Sequence, residues 1–231
     1  MALDTVSSLR GSRGLSKHCI KTVSLLLDFG AYVNAALDGK AFCPNRFCRL
    51  REKLIDAGLW RTALDYWWRI QQLELGRPFA FGDRSQCEKV TAYREDVARL
   101  SLGFMTMAAF GYPTVEESIQ ATRTDSDLEI LFKITMQCQI VDDVFDYSKD
   151  VAQGLPGFLT ATEELIKSFA TTSLAARRYS NGSSMAKGRN LFVLRIALMA
   201  VSVIARIMII LGRWRQGVSC VQPTPEHVFG P

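Results

Sequence analysis

The sequence predicts an all-α fold, built as one helical domain over residues 1–216. Three observations predict it. Apolar residues recur at helical spacing through nearly all of the 231 residues. No series of alternating strands and no Gly-rich phosphate loop interrupts them. The breakers Asp38-Gly39, Gly76-Arg77-Pro78, Pro113 and Gly154-Leu155-Pro156-Gly157 fall between the periodic stretches, not inside them. No linker or internal repeat divides the chain, and 48% hydrophobic residues suffice for one substantial core.

A first helix is expected over about 17–37, with Val23, Leu26, Leu27, Phe29, Tyr32, Val33 and Leu37 as its apolar content. Asp38-Gly39 and Cys43-Pro44-Asn45 break it. Helices over about 46–57 and 59–75 follow, the latter carrying Trp60, Tyr66, Trp67 and Trp68. These aromatics read either as packing core or as the wall of an apolar ligand cavity. The next helix covers about 85–110, and a short one about 114–121. Ser126 and Glu129 have capping-box spacing, and acids in a first turn suit the helix dipole. Asp125, Asp127 and Glu129 are therefore assigned to capping and not to metal. That helix runs over about 127–149, another over about 160–179, and the last over about 190–214. Asn181-Gly182-Ser183-Ser184 reads as a loop, and the proline-bearing tail 217–231 as disordered.

The net charge of +5 hides an asymmetry. From Leu165 to Pro225 there is no acid but nine basic residues, while residues 1–164 carry 19 basic and 22 acidic groups. A basic half serves nucleic acid, an anionic membrane surface or a phosphorylated small molecule. The nucleic-acid-binding signatures are missing, so no nucleic-acid partner is expected. Six scattered cysteines without a CxxC pair, and only two histidines, speak against zinc. Such thiols fit a reducing cytoplasm. His18 and His227 read as surface or structural residues. The N-terminus lacks the apolar core of a signal peptide. Arg195 and Arg206 interrupt the apolar stretch 191–212, at roughly 2.5–3.5 kcal/mol for a central arginine in a bilayer. A buried or interface-lying helix is expected there, not a transmembrane span.

The chemistry concentrates in QIVDDVFDYSKD. On a helix, Asp142 and Asp146 stack one turn apart, and Asp143 lies about 100° round. Gln139 is one turn before Asp142, and Asp150 one turn after Asp146. Carboxylates this close repel one another, and only Lys149 offsets them locally. A divalent metal removes the conflict. Mg²⁺ prefers oxygen ligands, takes one or two carboxylates directly and shares its other positions with water and phosphate. The bland alternative is a solvated acidic patch.

The string CQIVDDVFDYSKD resembles the second aspartate-rich motif of the trans-polyprenyl diphosphate synthases, FQxxDDxxDxxxD. It is similar, less closely, to the second metal motif of the squalene and phytoene synthases. Gln139, Asp142, Asp143, Asp146 and Asp150 fall at the family spacing, with Cys138 in place of Phe. The close match covers about a dozen residues. The resemblance implies the class I isoprenoid synthase superfamily: a helical bundle around a central cavity, in which facing helices hold more than one Mg²⁺ ion against a prenyl diphosphate. It implies Asp142, Asp143 and Asp146 as catalytic metal ligands, Asp150 as a further ligand and Gln139 as their support. No upstream DDxxD occurs; the nearest substitute is Asn34 with Asp38, one helical turn apart. Those two also read simply as a helix end followed by an Asp-Gly turn.

Arg195, Ser202, Arg206 and Arg213 fall within about 20° of one line on the last helix. This seam either meets the carboxylates or a bound diphosphate, or faces lipid headgroups. Arg195, Arg206, Arg94 and Lys149 are assigned to diphosphate binding, although Glu95 and Arg99 beside Arg94 also read as an ordinary i,i+4 pair. The expected function is a Mg²⁺-dependent isoprenoid diphosphate enzyme, of the terpene synthase or prenyltransferase type, that ionises an allylic prenyl diphosphate. The alternatives are a non-catalytic prenyl-diphosphate-binding or partner-subunit relative, or an unrelated membrane-associated helical protein. Peripheral membrane contact through 190–214 is compatible with each.

Overall fold

The computed structural model describes residues 2–11, 14–37, 43–181 and 192–217. They form an all-α structure: α1 (Ala2–Leu9), α2 (Lys17–Leu37), α3 (Pro44–Asp56), α4 (Trp60–Leu75), α5 (Arg84–Phe110), α6 (Val115–Thr124), α7 (Ser126–Gln153), α8 (Leu165–Ser180) and α9 (Phe192–Arg215). Asp38, the Gly182–Ser184 loop, the tail from 218 and His227 lie outside the described residues.

Eight helices match the expected stretches, and their ends follow local chemistry. Pro44 opens α3 at a position where its missing N–H costs nothing. Gly111 and Gly154 close α5 and α7 in the left-handed conformation. After Gly154 the Leu155 N–H returns to the Asp150 carbonyl, so α7 stops where the Gly-Leu-Pro-Gly sequence requires.

Three expectations are corrected. α1 is an added helix, held by Arg10, whose guanidinium forks onto the buried Asp127 carboxylate (2.6 and 2.9 Å). Arg10 also reaches Asp125 and lies over the Phe110 ring. Asp125 and Asp127 therefore tie α1 to α7, and no side-chain cap bond forms at the start of α7. The cap chemistry sits one helix earlier, where Thr114 accepts from the Glu117 N–H. The helix expected from about 160 starts at Leu165, because Pro156–Thr162 is a buried non-helical segment. Its backbone is used elsewhere: the Phe81 and Gly82 N–H groups donate to Thr160 and Ala161.

Two apolar cores share α5. One joins α5 to α7, α8 and α9 around Ile130, Met136, Ile140, Phe169, Leu198 and Ala205. The other joins α5 to α2, α3 and α4 around Phe29, Leu54, Ile70 and Phe104. Trp60 and Trp67 pack edge-on to Phe29 and Phe47 in this second core, so the aromatic stretch of α4 is packing, with Trp68 exposed. α5 thus stands between the helix carrying the carboxylates and the helix carrying Asn34.

Candidate functional site

α7 presents its carboxylates in two pairs. Residues four apart share a face, and so do residues seven apart. Asp142 is exposed and Asp146 half-buried, whereas Asp143 and Asp150 turn inward to 4% and 7% exposure. All four line one narrow, mostly polar cleft of about 140 Å³. α2 supplies Asn34 to it, the end of α4 and the turn after it supply Glu74 and Arg77, and α5 supplies Tyr93, Arg94 and Val97. Lys149, Leu155 and Pro156 complete the lining.

The inner pair is tied into the fold. Asp143 accepts from the Arg94 guanidinium at 2.9 Å and from the Phe158 N–H at 2.6 Å. The chain passes so close that a Cβ on Gly157 would lie 2.7 Å from an Asp143 carboxylate oxygen. Burial pushes the Asp143 carboxyl up, and the Arg94 charge and the Phe158 N–H restrain that rise. Asp150 is pushed up to about 6, first by burial and then by the charge of Asp143.

The outer pair is accessible. Asp146 takes an exposed Lys149 ammonium at 3.1 Å, a contact worth little in water. Across the cleft, the Tyr93 hydroxyl donates to Glu74, and Arg77 pairs with the same carboxylate. Burial and then Glu74 raise the Tyr93 phenol, so it remains a donor at neutral pH. Glu74 and Arg77 were not expected here: a helix end at Gly76-Arg77-Pro78 gives no sign of which cleft it borders.

Of the residues assigned from sequence, Asn34, Arg94, Asp142, Asp143, Asp146, Lys149 and Asp150 line the same cleft. Gln139 lies one turn before Asp142, with its amide oxygen buried and without a hydrogen-bond partner. Arg195 and Arg206 do not line the cleft. α9 packs on α7 and α8 through Leu194, Leu198, Ser202, Ala205 and Ile209, and the arginine line lies about 60–80° round from that face. Arg206 donates instead to Ser180 at the end of α8. Arg99 does not form the expected pair with Glu95: it lies over the Phe132 ring and donates to Thr122, while Glu95 accepts from Tyr179.

Among the described residues, no three His, Cys, Asp or Glu side chains converge as a ready metal-ligand set. Asp143 is engaged by the Arg94 guanidinium and the Phe158 N–H. The donors left facing the cleft are oxygen donors, which suit a hard divalent cation needing only one or two carboxylates. No protein-family model matches the sequence, and neither a curated protein nor a solved structure matches it.

Proposed function

We propose that this cleft binds the diphosphate of an allylic prenyl substrate through Mg²⁺. On this reading the chain is a Mg²⁺-dependent isoprenoid diphosphate enzyme of the terpene synthase or prenyltransferase type, on a divergent class I fold. The observation that carries it is the meeting of Asn34 with Asp142 and Asp146 across one cleft. They come from helices 108 residues apart in sequence, and cationic groups surround them.

Asp142, Asp146 and the Asn34 amide oxygen would hold the metal. Bound Mg²⁺ would neutralise the diphosphate and make it a better leaving group. Arg77, Arg94 and Lys149 add positive charge around the phosphate oxygens. Asp143 acts through Arg94, fixing the guanidinium and the Leu155–Phe158 turn at the edge of the cleft.

A second reading, binding without turnover, is favoured by size. At about 140 Å³ the cleft is smaller than the 300–1,000 Å³ of typical small-molecule pockets, room for a metal–diphosphate head but not for its chain. One experiment separates the two. Diphosphate release from geranyl, farnesyl and geranylgeranyl diphosphate is measured with Mg²⁺, for the native chain and for Asp142→Asn and Asp146→Asn. Release that both substitutions abolish supports the enzyme. Release that neither changes refutes it. No release from any substrate, with a melting temperature raised by Mg²⁺ plus diphosphate, supports the binding protein.

A further inference from the structure

α9 has two opposite faces. Leu194, Leu198, Ala205 and Ile209 are buried against α7 and α8. Nearly opposite, Ile196, Met199, Val203, Ile207, Ile210 and Trp214 follow at steps of three or four and are 44–77% exposed. The outward face of a surface helix normally carries the charges. Here the charges sit on its borders. Arg195, Arg206 and Arg213 run along one edge of the stripe, and Arg215 lies beyond the other.

That arrangement suits a helix lying in a membrane interface. The stripe enters the acyl boundary, the arginine stems run beside it, and the guanidinium groups reach the headgroups. An exposed Trp214 at the end of the stripe fits the same layer. By hydropathy and length α9 could also cross a membrane. Its inner face, however, is committed to α7 and α8, and Arg206 stands mid-helix. Charge selects among the other occupants. No acid occurs from Leu165 to Pro225, so two copies meeting here would oppose cation to cation. An anionic surface meets no like charge on α8 or α9.

We infer that α9 docks this domain flat on an anionic lipid bilayer, with the Ile196–Trp214 stripe inserted and Arg195 and Arg206 at the headgroups. The docking does not depend on what the carboxylate cleft binds, and Asp142→Asn should leave it unchanged.

The test is sedimentation of the full chain with phosphatidylcholine vesicles, with and without about 30% phosphatidylserine. The native chain should pellet with the anionic vesicles, less with the neutral ones, and progressively less as salt rises. Ile207→Glu with Ile210→Glu should weaken that binding about tenfold or more, with an unchanged melting curve. Arg206→Gln should weaken it chiefly at low salt. Brominated lipid should quench native tryptophan fluorescence more than that of Trp214→Phe. The inference is overturned by a folded chain that stays in solution with anionic vesicles, by equal binding to both vesicles, by acidic variants that bind like the native chain, or by a dimer that those variants dissociate. Retention in the vesicles after alkaline carbonate also overturns it, in favour of a spanning helix.

Discussion

Replacing Asp143 with alanine should unfold this protein far more easily than replacing Asp142, although the two are neighbours. Asp143 is 4% exposed and accepts from both Arg94 and the buried Phe158 N–H. Its removal strands a guanidinium whose side chain is only 23% exposed, together with a backbone donor. Breaking one side of a buried ion pair costs about 3–5 kcal/mol, of which an unsatisfied donor accounts for about 1–3. Arg94 retains some water, so the low end, about 3 kcal/mol, is expected. At roughly 2–4 °C per kcal/mol for a chain of this size, the melting temperature should fall by about 6–12 °C. Asp142→Ala removes an exposed carboxylate and should stay within about 0.5 kcal/mol of native. The assay is thermal unfolding by circular dichroism in metal-free buffer near neutral pH. Arg94→Met with Asp143→Leu, which leaves neither charge buried, should recover most of the loss. If Asp143→Ala melts with Asp142→Ala, the division of the carboxylates into inner and outer pairs is wrong.

Asp150 titrates near 6, above the roughly 3.9 of an unfolded aspartate, so the folded state holds the proton more tightly. Its contribution to stability is present in full below about pH 4 and is lost as pH rises through 6. Urea unfolding between pH 4 and 7 without metal should show a slope of this sign, to which the raised Asp143 carboxyl adds, and Asp150→Asn should reduce it; an undiminished slope in the variant assigns it to another group. Gly103→Ala places a methyl 2.6 Å from Ile119 where α5 meets α6, and should cost about 1–3 kcal/mol. A native midpoint in urea would show that Ile119 moves freely aside. Arg10→Ala should free α1 at a cost of about 1–3 kcal/mol, because Asp127 loses its fork while part of the site is open to water. Amide exchange over Ala2–Leu9 should quicken, and Arg10→Lys should restore little, since an ammonium lacks the planar fork that matches the carboxylate; unchanged exchange would detach α1 from that clamp.

The helices were legible because their limits are local: a left-handed glycine after α7, a proline opening α3 and apolar steps of three and four between them. What was not legible depends on distant partners. α1 is eight residues long and relies on Arg10 finding Asp127, 117 residues away. Two Ser/Thr-x-x-Glu patterns stand close together, and spacing alone does not say that Thr114 caps while the acids around Ser126 are drawn to Arg10. Glu95 and Arg99 have ideal helical spacing, yet Phe132 and Tyr179 offer them better partners. The spacing of the arginines makes a line on α9, but its direction depends on which face α9 buries, and the inward face is set by Leu194, Leu198 and Ala205.

The carboxylate motif shows the same limit in its most consequential form. Its spacing reads as one cluster, but a 3.6-residue period turns it into two faces. The inner face can sink only because Arg94, 49 residues earlier, and the Phe158 N–H wait beneath it. α7 then keeps two carboxylates for a metal, fewer than a firm protein-only site needs. On the proposed reading the remaining ligands come from Asn34, from water and from the phosphate oxygens themselves. On that reading Mg²⁺ and diphosphate should bind together and weakly apart, and the lack of a ready three-ligand set among the described residues is what a site completed by phosphate would show.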